Sequence, residues 1–126
     1  MKEITNRTAL IITPKEPFKE WAKFYNNESI EELTDRLNEK HIYLIGFATE
    51  EYLQDDLSPY CAEIFEYELT SWNYLKHEWP EDRSIDVFLE WFEVILNDDI
   101  FDLESERIQR EKVITYNSIF KNDPPI

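Results

Sequence analysis

A chain of 126 residues has the length of one domain, and 42% hydrophobic with 15% aromatic content is enough for a sizeable core. The single glycine, Gly46, excludes by count the glycine-rich loops that cradle nucleotide phosphates. With 28 acidic against 13 basic residues the net charge is −15, which repels nucleic acid and anionic membrane and favours basic proteins or cations, although solubility alone also accounts for it.

One cysteine, Cys61, rules out an internal disulfide and reads as a small buried hydrophobe in a helical run. No basic-then-apolar leader is recognisable, and no apolar run reaches the ~20 residues of a membrane span. A cytoplasmic location is the resulting expectation.

The run 8–13, TALIIT, is β-branched and apolar and stops at Pro14, which predicts a buried strand. Pro17 suits the first turn of a helix carrying Phe18, Trp21, Ala22 and Tyr25 on one face and ending at Asn26 and Asn27. Ser29 with Glu32 forms a capping box for a helix that turns Ile30, Leu33 and Leu37 inward and ends near Asn38. The run 41–48, HIYLIGFA, is nearly continuous in apolar residues and predicts a second strand, covered on both faces or lying centrally.

Thr49, Glu50 and Glu51 suggest a polar start, and Ser58-Pro59 a stronger one, so a long helix is expected from Pro59 to about His77. Its stripe is Ile64, Phe65, Leu69, Trp72 and Leu75. Pro80 ends it. Ser84 is the expected N-cap of a helix from Ile85 to about Phe92, with Asp86 in its first turn and Ile85, Phe88, Phe92 and Ile95 as its stripe. The two helices are expected to fold back as an αα-hairpin. Residues 93–103 read as one strand, with a turn at Asn97-Asp98-Asp99 as the alternative. Val113, Ile114, Tyr116, Ile119 and Phe120 suit a last strand or a docked segment, and 121–126 a frayed end. The expected fold is α+β, in the order β-α-α-β-α-α-β. It has a small mixed sheet of three or four strands with helices packed on it, and any parallel pairing of the first two strands requires a right-handed crossover.

No residue pattern names a reaction. His41 sits at a strand start, and His77 at a helix end where the dipole favours a cation. Neither has a histidine four residues away, and Cys61 has no CxxC companion, so no metal or cofactor is expected. Acidic pairs are too many to single out. Glu68 lies beside the stripe of the long helix, where burial and pairing would make it chemically useful; a carboxylate reaching outward to water is the plainer alternative. Lys15, Lys19 and Lys23, and Arg107, Arg110 and Lys112, alternate with acids and do not form a nucleic-acid footprint. At the corner, Trp79 and Trp91 read as core anchors, with an exposed Trp79 contact as the alternative; Glu81, Asp82 and Arg83 read as a solvated turn or a small polar site.

Two stretches resemble a family of small acidic bacterial proteins of uncharacterised function. They are PKEPFKEW, through Pro14, Pro17, Phe18 and Trp21, and EWPEDRSIDVFLEWF, through Trp79, Pro80, Asp82, Arg83, Ser84, Phe88, Trp91 and Phe92. The resemblance spans residues 8–103 and implies a bacterial intracellular protein, with no activity attached.

Three functions follow as expectations. The first is a non-enzymatic acidic interaction domain, inhibitor- or immunity-like, that engages a basic protein through Trp79, Glu81 and Asp82. The second is a small enzyme using Glu68, His77, Asp82 or Arg83 near the corner. The third is a self-assembling structural protein, monomer or homodimer by state, pairing through a sheet edge or the aromatic corner.

Overall fold

The computed structural model describes residues 1–26 and 29–114, with the side chain of Ile30 outside that set. The expected end of the first helix at Asn27, and the last strand and frayed end placed on 115–126, lie outside the described residues.

The chain is α+β, as its patterning predicts. Strand β1 (Lys2–Glu3) precedes β2 (Thr8–Pro14), the centre of the fold. Leu10 and Ile12 on β2 are fully buried, so the β-branched run does form the innermost strand. Helix α1 (Glu16–Phe24) starts with Pro17 in its first turn and buries Phe18 and Ala22. Helix α2 (Ile30–Leu37) is capped by the Ser29 hydroxyl, which accepts from the Glu32 amide at 3.3 Å, and it buries Leu33 and Leu37. Ser29→Ala is expected to cost about 1 kcal/mol and to speed amide exchange in α2; unchanged exchange there would discount the cap.

Strand β3 (His41–Ile45) pairs antiparallel with β2 and is shorter than the predicted 41–48. The mixed sheet becomes antiparallel throughout, in the order β3-β2-β4. The reason is the pair of helices between β2 and β3. With two helices rather than one, the link does not form the single-helix crossover that parallel neighbours use, and β3 returns antiparallel to β2; β4 reaches the other side of β2 in the same direction as β3.

Helix α3 (Leu53–Thr70) begins before Pro59, which lies inside it, and stops well before His77. Both boundaries have local causes. The Thr49 hydroxyl accepts from the Tyr52 amide, and Asp56 accepts from the Thr49 amide, so the start is fixed ahead of Ser58. At the far end the Thr70 hydroxyl donates to the Glu66 carbonyl and that of Ser71 to the Glu68 carbonyl. Asn73 then closes a turn by accepting from Leu75. A 3-10 turn (Lys76–Glu78) precedes Pro80, so helix α4 (Ile85–Trp91) follows a long link, although α3 and α4 do pack together. Ser84 occupies the N-cap position without a side-chain cap bond; its amide instead donates to Asp82 at 2.9 Å.

Strand β4 (Phe92–Asn97) continues directly from α4 and pairs antiparallel with β2. The single strand predicted over 93–103 is broken. Asn97 accepts from the Asp99 amide and turns the chain, and β5 (Phe101–Asp102) pairs with β1 in a separate two-stranded sheet. No helix among the described residues is long and apolar enough to cross a membrane.

The core is aromatic. The Phe18 ring lies 5.6 Å from Trp21, 6.4 Å from Trp72, 6.1 Å from Trp91 and 5.0 Å from Phe92, centre to centre. Phe65 meets Phe88, Trp91 and Phe92 at 5.7, 5.6 and 5.4 Å. The Trp21 indole donates to the Glu78 carbonyl at 2.9 Å, joining α1 to the 3-10 turn. The proline turn and the corner therefore close on one another around the same rings.

Candidate functional site

Two features stand at β3, one at each of its faces. The first is buried. Residues 65, 68 and 69 of α3 point inward together at helical spacing, and position 68 is a glutamate with 4% of its surface exposed. Its partner comes from the sheet: His41, first residue of β3, holds Nδ1 at 2.9 and 3.0 Å from the two Glu68 carboxylate oxygens. The imidazole is 41% exposed, so it bridges the carboxylate to the surface. Tyr43, two residues along β3, packs edge-on to His41 and to Tyr67 of α3.

Burial pushes the Glu68 carboxyl above the usual carboxylate range; the hydrogen bond and charge of His41, and the Tyr43 hydroxyl, pull it back without cancelling the rise. Burial also raises the Tyr43 phenol, and the Glu68 charge adds to the effect. The Tyr43 hydroxyl thus faces the carboxylate, although it makes no hydrogen bond of standard geometry among the described residues.

Beside this group a cleft of about 450 Å³ runs along β3, with Tyr60, Glu63, Ile64 and Tyr67 of α3 as its opposite wall. A smaller cleft of about 150 Å³ shares His41 and Tyr67 and includes Glu68, Arg36 and Trp72, whose ring lies 4.0 Å beneath the Arg36 guanidinium. Chemically, a carboxylate that fixes an imidazole at Nδ1 leaves Nε2 to exchange protons. Among the described residues lining the larger cleft there is no serine, threonine or cysteine to act as a nucleophile. No cluster of three His, Cys, Asp or Glu side chains suited to a metal occurs among the described residues.

The second feature is the outer face of the sheet. The register sets Ile42, Ile11 and Ile95 side by side across the three strands, with Leu44 next to Ala9 in the adjacent row. Ile42 is 67% exposed, Leu44 50% and Ile95 43%. The strand read as covered on both faces is thus an edge strand with one apolar face in water. Glu93 and Asn97 are exposed on the same side of β4.

The corner does not assemble with Glu68. His77 is exposed and lies 3.7 Å from the neighbouring Glu78. Asp82 is at the surface, where the Ser84 side chain and amide hold its carboxyl below the usual range. Arg83 donates to the Pro80 carbonyl at 2.7 Å and reaches Glu66 at 4.0 Å. Positions 66 and 68 lie about 200° apart around a helix, so Arg83 meets the side of α3 turned away from Glu68. Glu81 is exposed. Trp79 is 4% exposed and its indole donates to the Asn73 carbonyl at 2.6 Å, so it offers no ring face to a partner.

Sequence reasoning singled out Glu68 and missed its partner. His41 lies 27 positions away, and nothing local signals the pairing. Compared with known protein families, curated proteins and solved structures, the chain matches none, and the site is read from its own geometry.

Proposed function

We propose that this protein is a non-enzymatic, acidic interaction domain that binds a basic protein, as an inhibitor or immunity-type factor does. The bacterial cytoplasm expected from the sequence is the setting of the same reading. The observation that carries it is the outer sheet face, where Ile42, Leu44 and Ile95 stand exposed on a chain of net charge −15. Contiguous exposed apolar side chains mark contact surfaces. The charge decides which contact: two copies at −15 repel one another, whereas a cationic partner is drawn in at long range. The same repulsion weighs against self-assembly through this face.

The test is affinity capture from native lysate at low salt and at roughly 0.5 M salt, where screening shortens the reach of the field to a few ångströms. It is run with the natural chain and with Ile42→Glu/Ile95→Glu. Both positions are exposed enough for the substitutions to cost little stability. A basic partner held at low salt, released at high salt and recovered at least tenfold less by the variant is the expected result. No salt-sensitive partner, or equal recovery by the variant, would contradict it.

An enzyme reading has one observation in its favour, the His41–Glu68 pair, which lines the smaller cleft. It does not draw on His77, Asp82 or Arg83. Among the described residues the larger cleft offers no serine, threonine or cysteine, and Ser71, which lines the smaller cleft with His41 and Glu68, donates its hydroxyl to the Glu68 carbonyl at 2.8 Å.

A further inference from the structure

We infer that the cleft along β3 is a peptide groove, taking an extended segment of the basic partner as an added strand with a cationic side chain set against Glu63. This rests on the interaction reading and specifies its mode.

Four observations lead there. In the sheet order β3-β2-β4, strand β3 is an edge, and half of its amides and carbonyls point away from β2. Among the described residues no backbone hydrogen bond reaches that outer side. The cleft is lined by every residue of His41–Ile45 rather than by alternate ones, so its floor is the backbone edge and not one face of the sheet. The opposite wall offers Tyr60 and Tyr67 for apolar and aromatic contact, Ile64 below, and the exposed carboxylate of Glu63.

The occupant's chemistry is indicated by the chain itself. Val113, in the irregular segment 110–114, already lines the cleft, so a β-branched aliphatic side chain suits this wall, while the preference for a cation rests on Glu63. Strand addition takes its affinity from main-chain bonds and its selectivity from pockets for alternate side chains. A groove bearing Glu63 on a strongly acidic chain selects lysine or arginine there, and a second copy of this chain is opposed by its charge.

The test uses the isotope-labelled 126-residue chain and three acetylated synthetic pentapeptides: alternating lysine and valine, the same peptide N-methylated at alternate amides, and alternating glutamate and valine. Amide shifts are followed by NMR, and Glu63→Lys serves as the variant because that side chain is exposed. The lysine–valine peptide is expected to move the amides of residues 41–45 together with those of Tyr60 and Tyr67. Its affinity is expected to fall at least tenfold on N-methylation and on Glu63→Lys, and the glutamate peptide is expected not to bind. Shifts that spare β3, affinity indifferent to N-methylation, or displacement of a dimer of this chain would each overturn the groove. If the groove fails while Ile42→Glu/Ile95→Glu still loses a salt-sensitive partner, the interaction reading stands and only strand addition falls.

Discussion

Phe18→Ala is expected to lower the unfolding free energy by about 3–5 kcal/mol, the largest loss of any single truncation considered. A domain of this length holds roughly 6–19 kcal/mol, so the variant is left with a modest margin. The size follows from position. Phe18 is 1% exposed and its ring touches Trp21 in its own helix, Trp72 beyond the end of α3, Trp91 at the end of α4 and Phe92 at the start of β4. Truncation removes the apolar area of the ring and leaves a cavity that four rigid aromatics cannot fill by small shifts. It also weakens the tie between the turn after β2 and the corner, leaving the Trp21 bond to Glu78, the Lys15 bonds to the Trp91 and Leu89 carbonyls and the Trp21–Trp91 ring contact to hold it. Urea melts of the two chains measure the difference. A loss below about 1 kcal/mol, within the range of an ordinary surface substitution, would mean that these rings are not the hub of the fold.

Glu68→Gln is expected to act in the opposite direction and to stabilise the protein at neutral pH, by about 1.4 kcal/mol for each pH unit by which burial raises the carboxyl. The Gln amide oxygen can still accept from His41 Nδ1–H, while the buried negative charge is gone. Burial is the dominant cause of the raised Glu68 value, so the native state favours the protonated carboxyl. The native form therefore keeps that proton to a higher pH than the unfolded chain does. The contribution of Glu68 to stability is fullest below the ordinary carboxylate range and is lost as pH rises through the raised value. The other acids also titrate, so the informative quantity is the difference between the two proteins. It is expected to be near zero around pH 4 and to grow in favour of the variant as pH rises from there. A variant less stable than the natural chain at neutral pH would show that pairing with His41 outweighs the cost of burial.

Much of the fold was legible because its signals are local. The TALIIT run, the proline turn into α1 and the Ser29 cap each carry their cause within a few residues, and each element forms where the pattern puts it. The misreadings come from competition. Pro59 reads as a helix start only if Thr49 and Asp56 are ignored, yet their hydrogen bonds begin α3 earlier. Pro80 reads as the stop, although the hydroxyls of Thr70 and Ser71 take the carbonyls of Glu66 and Glu68 first. At β3 the run HIYLI hides its alternation because both faces are apolar, one against the core and one against water. The candidate site is less legible still. Glu68 is visible from its place on the stripe, but its pairing with His41 exists only once β3 lies against α3. The corner residues His77, Glu81, Asp82 and Arg83 drew attention for their charge, and that charge goes to chain neighbours, to solvent and, for Arg83, to Glu66 on the side of α3 away from Glu68.

The most direct measurement is amide hydrogen exchange on the protein alone and with the salt-sensitive partner bound. Binding at the outer face and edge of the sheet predicts slowed exchange in His41–Ile45 and Phe92–Asn97, with residues 79–84 unchanged. Protection confined to 79–84, with both strands exchanging as in the free protein, would place the partner at the corner and contradict the reading.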